Sequence, residues 1–271
     1  MIDTHVHSHH SPDARGSMLT IAQAAQSQGL TGVVFTEHGE WYPGDEAYGY
    51  LNLDAYFSEI DEARTYFNGR AALGDAFTLL SGIELGNPHE FSREVTAILA
   101  RYPFDLVVGS VHWIDDLPGW ERPIFDSGIP AVYRRYFEEL LAMVEVADFD
   151  VLGHLDLVRR DSWDLFRQTL TLEPYAEMID TVLRRLISDG RGLEINTSAL
   201  RKGLPEPVPG PAILRRYREL GGEILVIGSD AHRPEHLGHG FAVARDIALA
   251  AGFERVARFE QRLITEWIDL K

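Results

Sequence analysis

The stretch from residue 3 to residue 13 is rich in side chains that bind metals. It contains four histidines and two aspartates, in the order Asp3-Thr4-His5-Val6-His7-Ser8-His9-His10-Ser11-Pro12-Asp13. Its start is typical of a short strand, and alternate side chains of a strand share a face, so His5 and His7 should point the same way. Neutral imidazoles are common ligands of zinc, iron and manganese. The stretch therefore predicts one wall of a metal site, in preference to a polar arm or a purification tag.

Further side chains of the same kind come at or just past the ends of later apolar segments that are typical of buried strands. The strands are predicted over residues 2–7, 32–37, 77–85, 105–111, 150–153, 192–196 and 223–228. The ligand-type residues at their ends are His5, His7, His38, Glu84, His112, His154, Asp230 and His232. A single histidine in such a place is more often structural. Eight residues in one register predict a shared site, because the carboxyl ends of parallel strands meet at one face of a barrel.

Helical patterns alternate with these strands, which predicts right-handed crossovers and a parallel sheet. The helices are predicted over residues 17–28, 54–66, 91–100, 132–146, 174–188, 212–220, 241–250 and 253–271. No composition shift divides the chain, so residues 1–271 are expected to form a single domain. Seven strand–helix units favour an α/β barrel with one strand fewer than the usual eight, and a doubly wound open sheet is the alternative.

Composition limits the partners and the compartment. The chain has no cysteine, so any metal must be held by nitrogen and oxygen, and a reducing cytoplasmic location is expected. A net charge of −17 disfavours nucleic acid, although local cations could still bind one small phosphorylated substrate. Neither a signal peptide nor an apolar run long enough to span a membrane is predicted. The oligomeric state is left open.

In several segments the chain resembles the polymerase and histidinol phosphatase (PHP) superfamily. The matching segments are Asp3–Ser8, Thr36-Glu37-His38, Gly82-Ile83-Glu84, Ser110-Val111-His112, Gly153-His154 and Ser229-Asp230-Ala231-His232. Within that superfamily, Gly153-His154-Leu155-Asp156 and Glu194-Ile195-Asn196-Thr197-Ser198 are similar to stand-alone histidinol-phosphate phosphatases. The resemblance implies a distorted (β/α)7 barrel that holds two to three divalent ions of zinc, iron or manganese.

The resemblance also implies how the ligands are shared among the metals. His5, His7, Glu84 and Asp230 would hold the first ion, and Glu84 would bridge to a second ion held by His112 and His154. His38 and His232 would hold a third ion together with Asp13, which stands where many members have histidine. His9 and His10 are the competitors for that third place. An aspartate there would favour manganese or iron.

The activity implied is hydrolysis of L-histidinol phosphate to L-histidinol and phosphate, a step of histidine biosynthesis. Three divalent ions against three carboxylates leave a net charge of about +3, which suits a phosphate dianion. A metal-bridging hydroxide would attack phosphorus directly, without a phosphoenzyme. Glu84, Asp230 and His232 are the expected catalytic residues, and Asp230 or His232 could protonate the leaving group, as could a metal-bound water.

Two arginines are candidates to clamp the phosphate, because a guanidinium group matches two phosphate oxygens. Arg201 is favoured, and Arg160 is about equally matched with Arg159; surface salt bridges are the alternative role for each. Two other functions stay open: a nucleotide or other small-molecule phosphoesterase with the same metals, and an inactive metal-binding regulatory protein. The aromatic loops that contain Trp41, Tyr42, Trp113 and Trp120 could form a lid or pack on the barrel rim.

Overall fold

A computed structural model of the protein describes residues 1–71 and 77–271. Seven parallel strands of these residues form one sheet in chain order. They are β1 (Ile2–Val6), β2 (Gly32–Gly39), β3 (Thr78–Gly86), β4 (Leu106–Ser110), β5 (Val151–Leu152), β6 (Gly192–Asn196) and β7 (Leu225–Gly228). The predicted (β/α)7 barrel with a single domain is confirmed, and the open doubly wound sheet is excluded, because β7 returns to lie beside β1.

The seam between β7 and β1 is held by a few specific contacts instead of a continuous ladder. A single bridge joins Val6 to Ala231, and the Thr4 hydroxyl donates to the Ile227 carbonyl at 2.9 Å. The buried Asp3 carboxylate accepts from the Ser229 backbone N–H at 2.8 Å and from the Ser229 hydroxyl at 2.5 Å. Burial raises the pKa of Asp3. The barrel is therefore nearly closed, and a buried acid within β1 ties the two edge strands of the sheet together.

Helices cover the outside of the barrel and pack on the outward side chains of the strands. They are α1 (Met18–Ser27), α2 (Leu53–Ala71), α3 (Ser92–Arg101), α4 (Ile129–Val146), α5 (Leu157–Phe166), α6 (Ala176–Ser188), α7 (Ser198–Arg201), α8 (Pro211–Glu219) and α9 (Phe241–Ala250). The Ser17 hydroxyl caps α1 by accepting from the Thr20 N–H, as its position in the sequence predicts. In the described ranges, no helix is both long and apolar enough to cross a membrane.

The inward side chains form layers along the strands. Val34 and Leu80 lie low in the barrel in an apolar cluster, and Glu84 lies two inward positions above Leu80. Gly82 separates these layers, and a Cβ there would lie 2.8 Å from the Thr36 methyl group. The period of two therefore places apolar residues at the amino ends of the strands and polar residues at the carboxyl ends.

The predicted helix over residues 253–271 is wrong, because these residues contain an antiparallel hairpin. Its strands are β8 (Arg255–Glu260) and β9 (Leu263–Asp269), joined through Gln261 and Arg262, which both have positive φ. Ala257 and Phe259 pack against the apolar cluster at the amino ends of the barrel strands. Without the hairpin this apolar layer would be exposed to solvent, and alternate residues of the strand β8 cover it.

Smaller differences concern the connections. Helices α5 and α7 lie in connections for which no helix is predicted. Helix α2 runs to Ala71, beyond the predicted end at residue 66. The aromatic loop that follows β4 contains a short hairpin, in which Trp113–Ile114 pairs with Leu117–Pro118.

Candidate metal centre

Glu84, at the carboxyl end of β3, lies at the centre of the converging ligand-type residues. One carboxylate oxygen, Oε1, lies 2.8 Å from His154 Nε2 and 3.2 Å from His112 Nε2. The other oxygen, Oε2, lies 3.3 Å from His5 Nε2, 3.6 Å from His7 Nε2 and 3.1 Å from His38 Nδ1. The two oxygens thus face two different groups of imidazoles, which is the arrangement expected of a bridging carboxylate.

The first group consists of His5, His7 and Asp230. Asp230 Oδ1 lies 3.9 Å from His5 Nε2 and 3.5 Å from His7 Nε2. Asp230 has a φ of +54°, so the backbone just past β7 is in a left-handed conformation that non-glycine residues rarely adopt. The strained turn directs the carboxylate toward His5 and His7.

A third group forms around Asp13. Its Oδ2 atom lies 2.9 Å from His232 Nε2, and Oδ1 lies 3.7 Å from His38 Nε2. The rings of His38 and His232 each stack on His7 with centroids 4.2 Å apart. The structure therefore brings together all nine residues that the sequence analysis proposed as metal ligands.

Several ring nitrogens of this centre are buried without a hydrogen-bond partner among the described residues. They are His5 Nε2, His7 Nε2, His38 Nδ1 and His154 Nδ1. Two ligands about 2.1 Å from one ion in a tetrahedral arrangement lie roughly 3.4 Å apart, which is close to the distances around Glu84. Buried polar atoms left without a partner are costly, so the residues present fit a group of divalent ions.

The electrostatics of the centre also favour cations. Burial would raise the pKa of Glu84, but its interactions with His5 and His112 outweigh burial and hold this pKa well below its usual range. Burial and the neighbouring His232 and His38 keep the pKa of His7 well below its usual value. His7 is thus neutral and able to act as a ligand near neutral pH.

Two glutamates orient imidazoles of the centre, and the sequence analysis did not identify this role. Glu194 Oε1, on β6, lies 2.7 Å from His5 Nδ1, and Glu40 Oε1, just past β2, lies 2.5 Å from His112 Nδ1. A carboxylate at Nδ1 accepts a hydrogen bond from the Nδ1–H group and leaves the Nε2 lone pair free for a metal. In both histidines it is Nε2 that faces Glu84.

Local sequence gave a partial signal for these two acids. Glu194 is a charged residue in the middle of an apolar strand, and Glu40 follows His38 by two residues. Glycines opposite them leave the necessary space. A Cβ on Gly228 would lie 2.2 Å from Glu194 Oε1, and a Cβ on Gly86 would lie 2.0 Å from Glu40 Oε2.

Another buried acid, Glu37, holds the loop that follows β1. It accepts from the Ser8 backbone N–H at 3.0 Å, from the Ser8 hydroxyl at 2.7 Å and from the Ser11 hydroxyl at 2.6 Å. Ser11 Oγ in turn accepts from the His38 backbone N–H at 3.1 Å. This network fixes the loop between the first ligand strand and Asp13.

Of the three arginines considered, two lie at the centre. Arg160 Nη1 donates to Asp230 Oδ2 at 3.2 Å, and Arg201 Nη2 donates to the Asp230 carbonyl at 2.7 Å. Arg159 is paired elsewhere, with Asp156 at 2.9 Å and with Glu206. The geometry therefore favours Arg160 over Arg159 as a residue that can reach a ligand of the metals.

His9 and His10, the competitors of Asp13, point away from the centre. The Nε2 atoms of both lie near Glu59 Oε2 on α2, at 3.2 Å and 2.9 Å respectively. Asp13 is thus the residue of the opening stretch that completes the third group.

The aromatic loops divide into packed and open parts. Trp113 is buried and stacks on Tyr42 with ring centroids 4.6 Å apart, so these two residues pack on the barrel rim. Trp120 is 43% exposed and its ring lies 6.2 Å from that of His112. Of these three residues, Trp120 is therefore the one whose position suits a contact with bound substrate.

Comparison with known proteins agrees with this architecture. The model of the PHP domain family matches residues 3–198. A histidinol-phosphatase of Lactococcus lactis subsp. lactis is 30% identical over 95% of this chain and 94% of its own, and a protein named probable histidinol-phosphatase from Clostridium acetobutylicum is 30% identical over 97% of this chain and 98% of its own. The crystal structure of the Lactococcus lactis histidinol phosphate phosphatase, complexed with zinc, L-histidinol and phosphate, has a TM-score of 0.82 at 27% identity and covers 98% of each chain.

Proposed function

The chain belongs to the PHP domain family, and from this membership and the geometry of its metal centre we propose that it is a histidinol-phosphatase. The observation that carries the proposal is Glu84, whose two carboxylate oxygens face two groups of buried imidazoles within 3.6 Å. Histidinol-phosphatases are the relatives that match nearly the whole chain. A place in histidine biosynthesis, and with it a cytoplasmic location, belongs to the same proposal because both follow from the substrate.

The proposed ligand sets are three. His5, His7, Glu84 and Asp230 hold one ion, Glu84 with His112 and His154 holds a second, and Asp13, His38 and His232 hold a third. Divalent ions in these places supply Lewis acidity toward phosphoryl oxygens and lower the pKa of water at the site toward neutrality. An inactive regulatory protein has no need for so complete a set together with two arginines at one face.

The arginines bind and orient the substrate in this proposal. The Arg160 side chain is 19% exposed and already lies within 3.2 Å of Asp230, so its remaining N–H groups can hold a phosphate against the metal centre. Arg201 donates to the Ser229 carbonyl at 2.5 Å and to the Asp230 carbonyl, which fixes the strained turn as well as placing a positive charge there. Phosphate binding and ligand positioning are thus joined in the same two side chains.

Proton transfer to the leaving alkoxide is assigned to Asp230 or His232, which lie side by side past β7. His232 Nδ1 lies 3.1 Å from the Asp230 carbonyl and 3.4 Å from Asp230 Oδ1. Glu84 and Asp230 stay ionised near neutral pH, because the surrounding imidazoles hold the pKa of both well below the usual range despite burial. An ionised Asp230 has no proton to give, and His232 is also a proposed ligand of the third ion, so the donor is the Nδ1–H of His232 or a water at the site.

The test is a phosphate-release panel with histidinol phosphate, nucleoside monophosphates and sugar phosphates, run on protein whose metal content is measured by elemental analysis. We expect two or three metals per chain and a kcat/KM for histidinol phosphate at least tenfold above the others. Phosphate release from nucleotides alone would replace the substrate and keep the metal centre. Absence of release from protein that holds at least two metals would reject the proposal.

Arginine variants test the substrate contacts. Arg160→Ala and Arg201→Ala should raise KM at least tenfold and disturb the metal content less than KM, since loss of a charged hydrogen bond costs about 1.5–3 kcal/mol. Arg215→Ala, at an exposed position of α8, is the matched control and should behave as the wild type. Unchanged KM in both test variants would remove these arginines from the site.

A further inference from the structure

His9, His10 and Glu59 form a second cluster of potential ligands outside the metal centre. The Nε2 atoms of the two histidines lie 3.2 Å and 2.9 Å from the same carboxylate oxygen, Glu59 Oε2. The two rings stack with centroids 4.5 Å apart. Among the described contacts, no hydrogen bond or ion pair joins either imidazole to the residues of the metal centre. The cluster is therefore a separate feature of the loop after β1.

The hydrogen bonds around the cluster determine which atoms face one another. His9 Nδ1 lies 3.2 Å from the Gly16 carbonyl, which can only accept, so Nδ1–H donates there and Nε2 faces Glu59. Glu59 Oε1 accepts from the Met18 N–H at 2.9 Å, which leaves Oε2 for the histidines. The Nε2 atoms of the two histidines and Glu59 Oε2 are thus the three atoms that can face one ion.

We propose that His9, His10 and Glu59 form an additional, exchangeable divalent-metal site of the zinc type. Two imidazoles and one carboxylate are a three-ligand set that zinc accepts, with water at the open position. The side chains of His9 and Glu59 are 49% and 23% exposed, respectively, so an ion can exchange with solvent. Such an ion joins the loop of residues 8–13 to α2.

The site has a structural consequence for the loop. Its backbone is already tethered, because the Tyr50 hydroxyl donates to the His9 carbonyl at 3.2 Å and Glu37 holds Ser8. Asp13 lies further along the same loop and contacts His232. Zinc bound to His9, His10 and Glu59 therefore stabilises the segment that carries Asp13, without contact with the substrate.

The test is a zinc titration of protein whose metal centre has first been filled and freed of loosely bound metal by gel filtration. Isothermal calorimetry should show one further zinc per chain, bound more weakly than those of the centre. His9→Ala and Glu59→Gln should lose this further equivalent and keep the tightly bound metals. His239→Ala, which removes an exposed histidine from another loop, is the matched control and should retain it.

Asp13→Asn distinguishes this site from an incompletely filled third position of the metal centre. The further zinc should persist in Asp13→Asn, because that residue is not part of the cluster. Loss of the further zinc in Asp13→Asn but not in His9→Ala would overturn the proposal. So would a wild-type protein that takes up no further zinc, in which case Glu59 only pairs with the two histidines.

Discussion

Replacement of Glu194 by glutamine should weaken metal binding while the barrel remains folded. Glu194 Oε1 lies 2.7 Å from His5 Nδ1, and Oε2 accepts from the His154 backbone N–H at 2.9 Å and from Asn196 at 3.2 Å. Both oxygens therefore act as acceptors for buried donors. Glutamine has nearly the same shape but only one carbonyl oxygen, so it cannot satisfy both sides.

Each orientation of the amide has a cost. If the NH2 group faces His5, the ring must accept at Nδ1 and carry its proton on Nε2, the atom 3.3 Å from Glu84, which then cannot bind a metal. If the NH2 group faces away from His5, it meets the His154 backbone N–H. That N–H and the side-chain NH2 of Asn196 are both buried donors, and both lose their acceptor. An orienting carboxylate of this kind is worth about 10- to 100-fold in metal affinity, or roughly 1.4–2.7 kcal/mol.

The assay is competition for zinc against a chromophoric chelator at pH 7, with thermal unfolding as a check of the fold. Glu194→Gln should lower the affinity of the tightest metal at least tenfold, and His5→Gln sets the value for loss of the ligand itself. Glu219→Gln, on the exposed end of α8, is the control and should match the wild type. An affinity of Glu194→Gln within threefold of the wild type would refute the orienting role.

Three further predictions concern space, packing and pH. Gly228→Ala should lower metal affinity in the same competition assay, because its Cβ would lie 2.2 Å from Glu194 Oε1 and 2.4 Å from the His5 Cβ. An unchanged affinity would show that the neighbouring side chains can move aside, and would contradict this prediction. Phe259→Ala should reduce the free energy of unfolding in urea by about 3 kcal/mol and leave the metal content intact, since the hairpin covers the opposite end of the barrel; lost metal would contradict that separation. Burial raises the pKa of Asp150 to about 6, so the folded state binds a proton at this carboxyl group more tightly than the unfolded state does. The wild type should therefore lose stability relative to Asp150→Asn as pH rises from 4 to 7. The loss is up to about 3 kcal/mol by urea unfolding, and a difference that does not vary with pH would contradict the shift.

The extent to which sequence could predict the centre is clearest in β3. Its apolar residues and the period of two identify a buried strand, and Glu84 at its end is visible as a polar residue where a parallel strand reaches the open face of a barrel. The same local signal applies to His38, His112 and His154. It does not apply to Glu40, whose importance depends on its contact with His112, 72 residues further along the chain.

The C-terminal hairpin shows the opposite limit. Residues 255–269 mix charged and apolar residues, so neither period is clear without knowledge of what they pack against. The barrel exposes an apolar layer at the amino ends of its strands, and Ala257 and Phe259 cover it only if the segment is extended. Tertiary packing therefore decided a local conformation.

The sequence by itself determined the residue types at the strand ends, and with them the barrel and the kind of ligands available, because strand periodicity and chain order are local properties. It did not decide between Asp13 and the pair His9 and His10. That choice depended on the path of the loop after β1, which Glu37 and Glu59 fix from other elements. Hydrogen bonds between residues distant in the chain, such as the one between His5 and Glu194, form only once the barrel has brought the strand ends together.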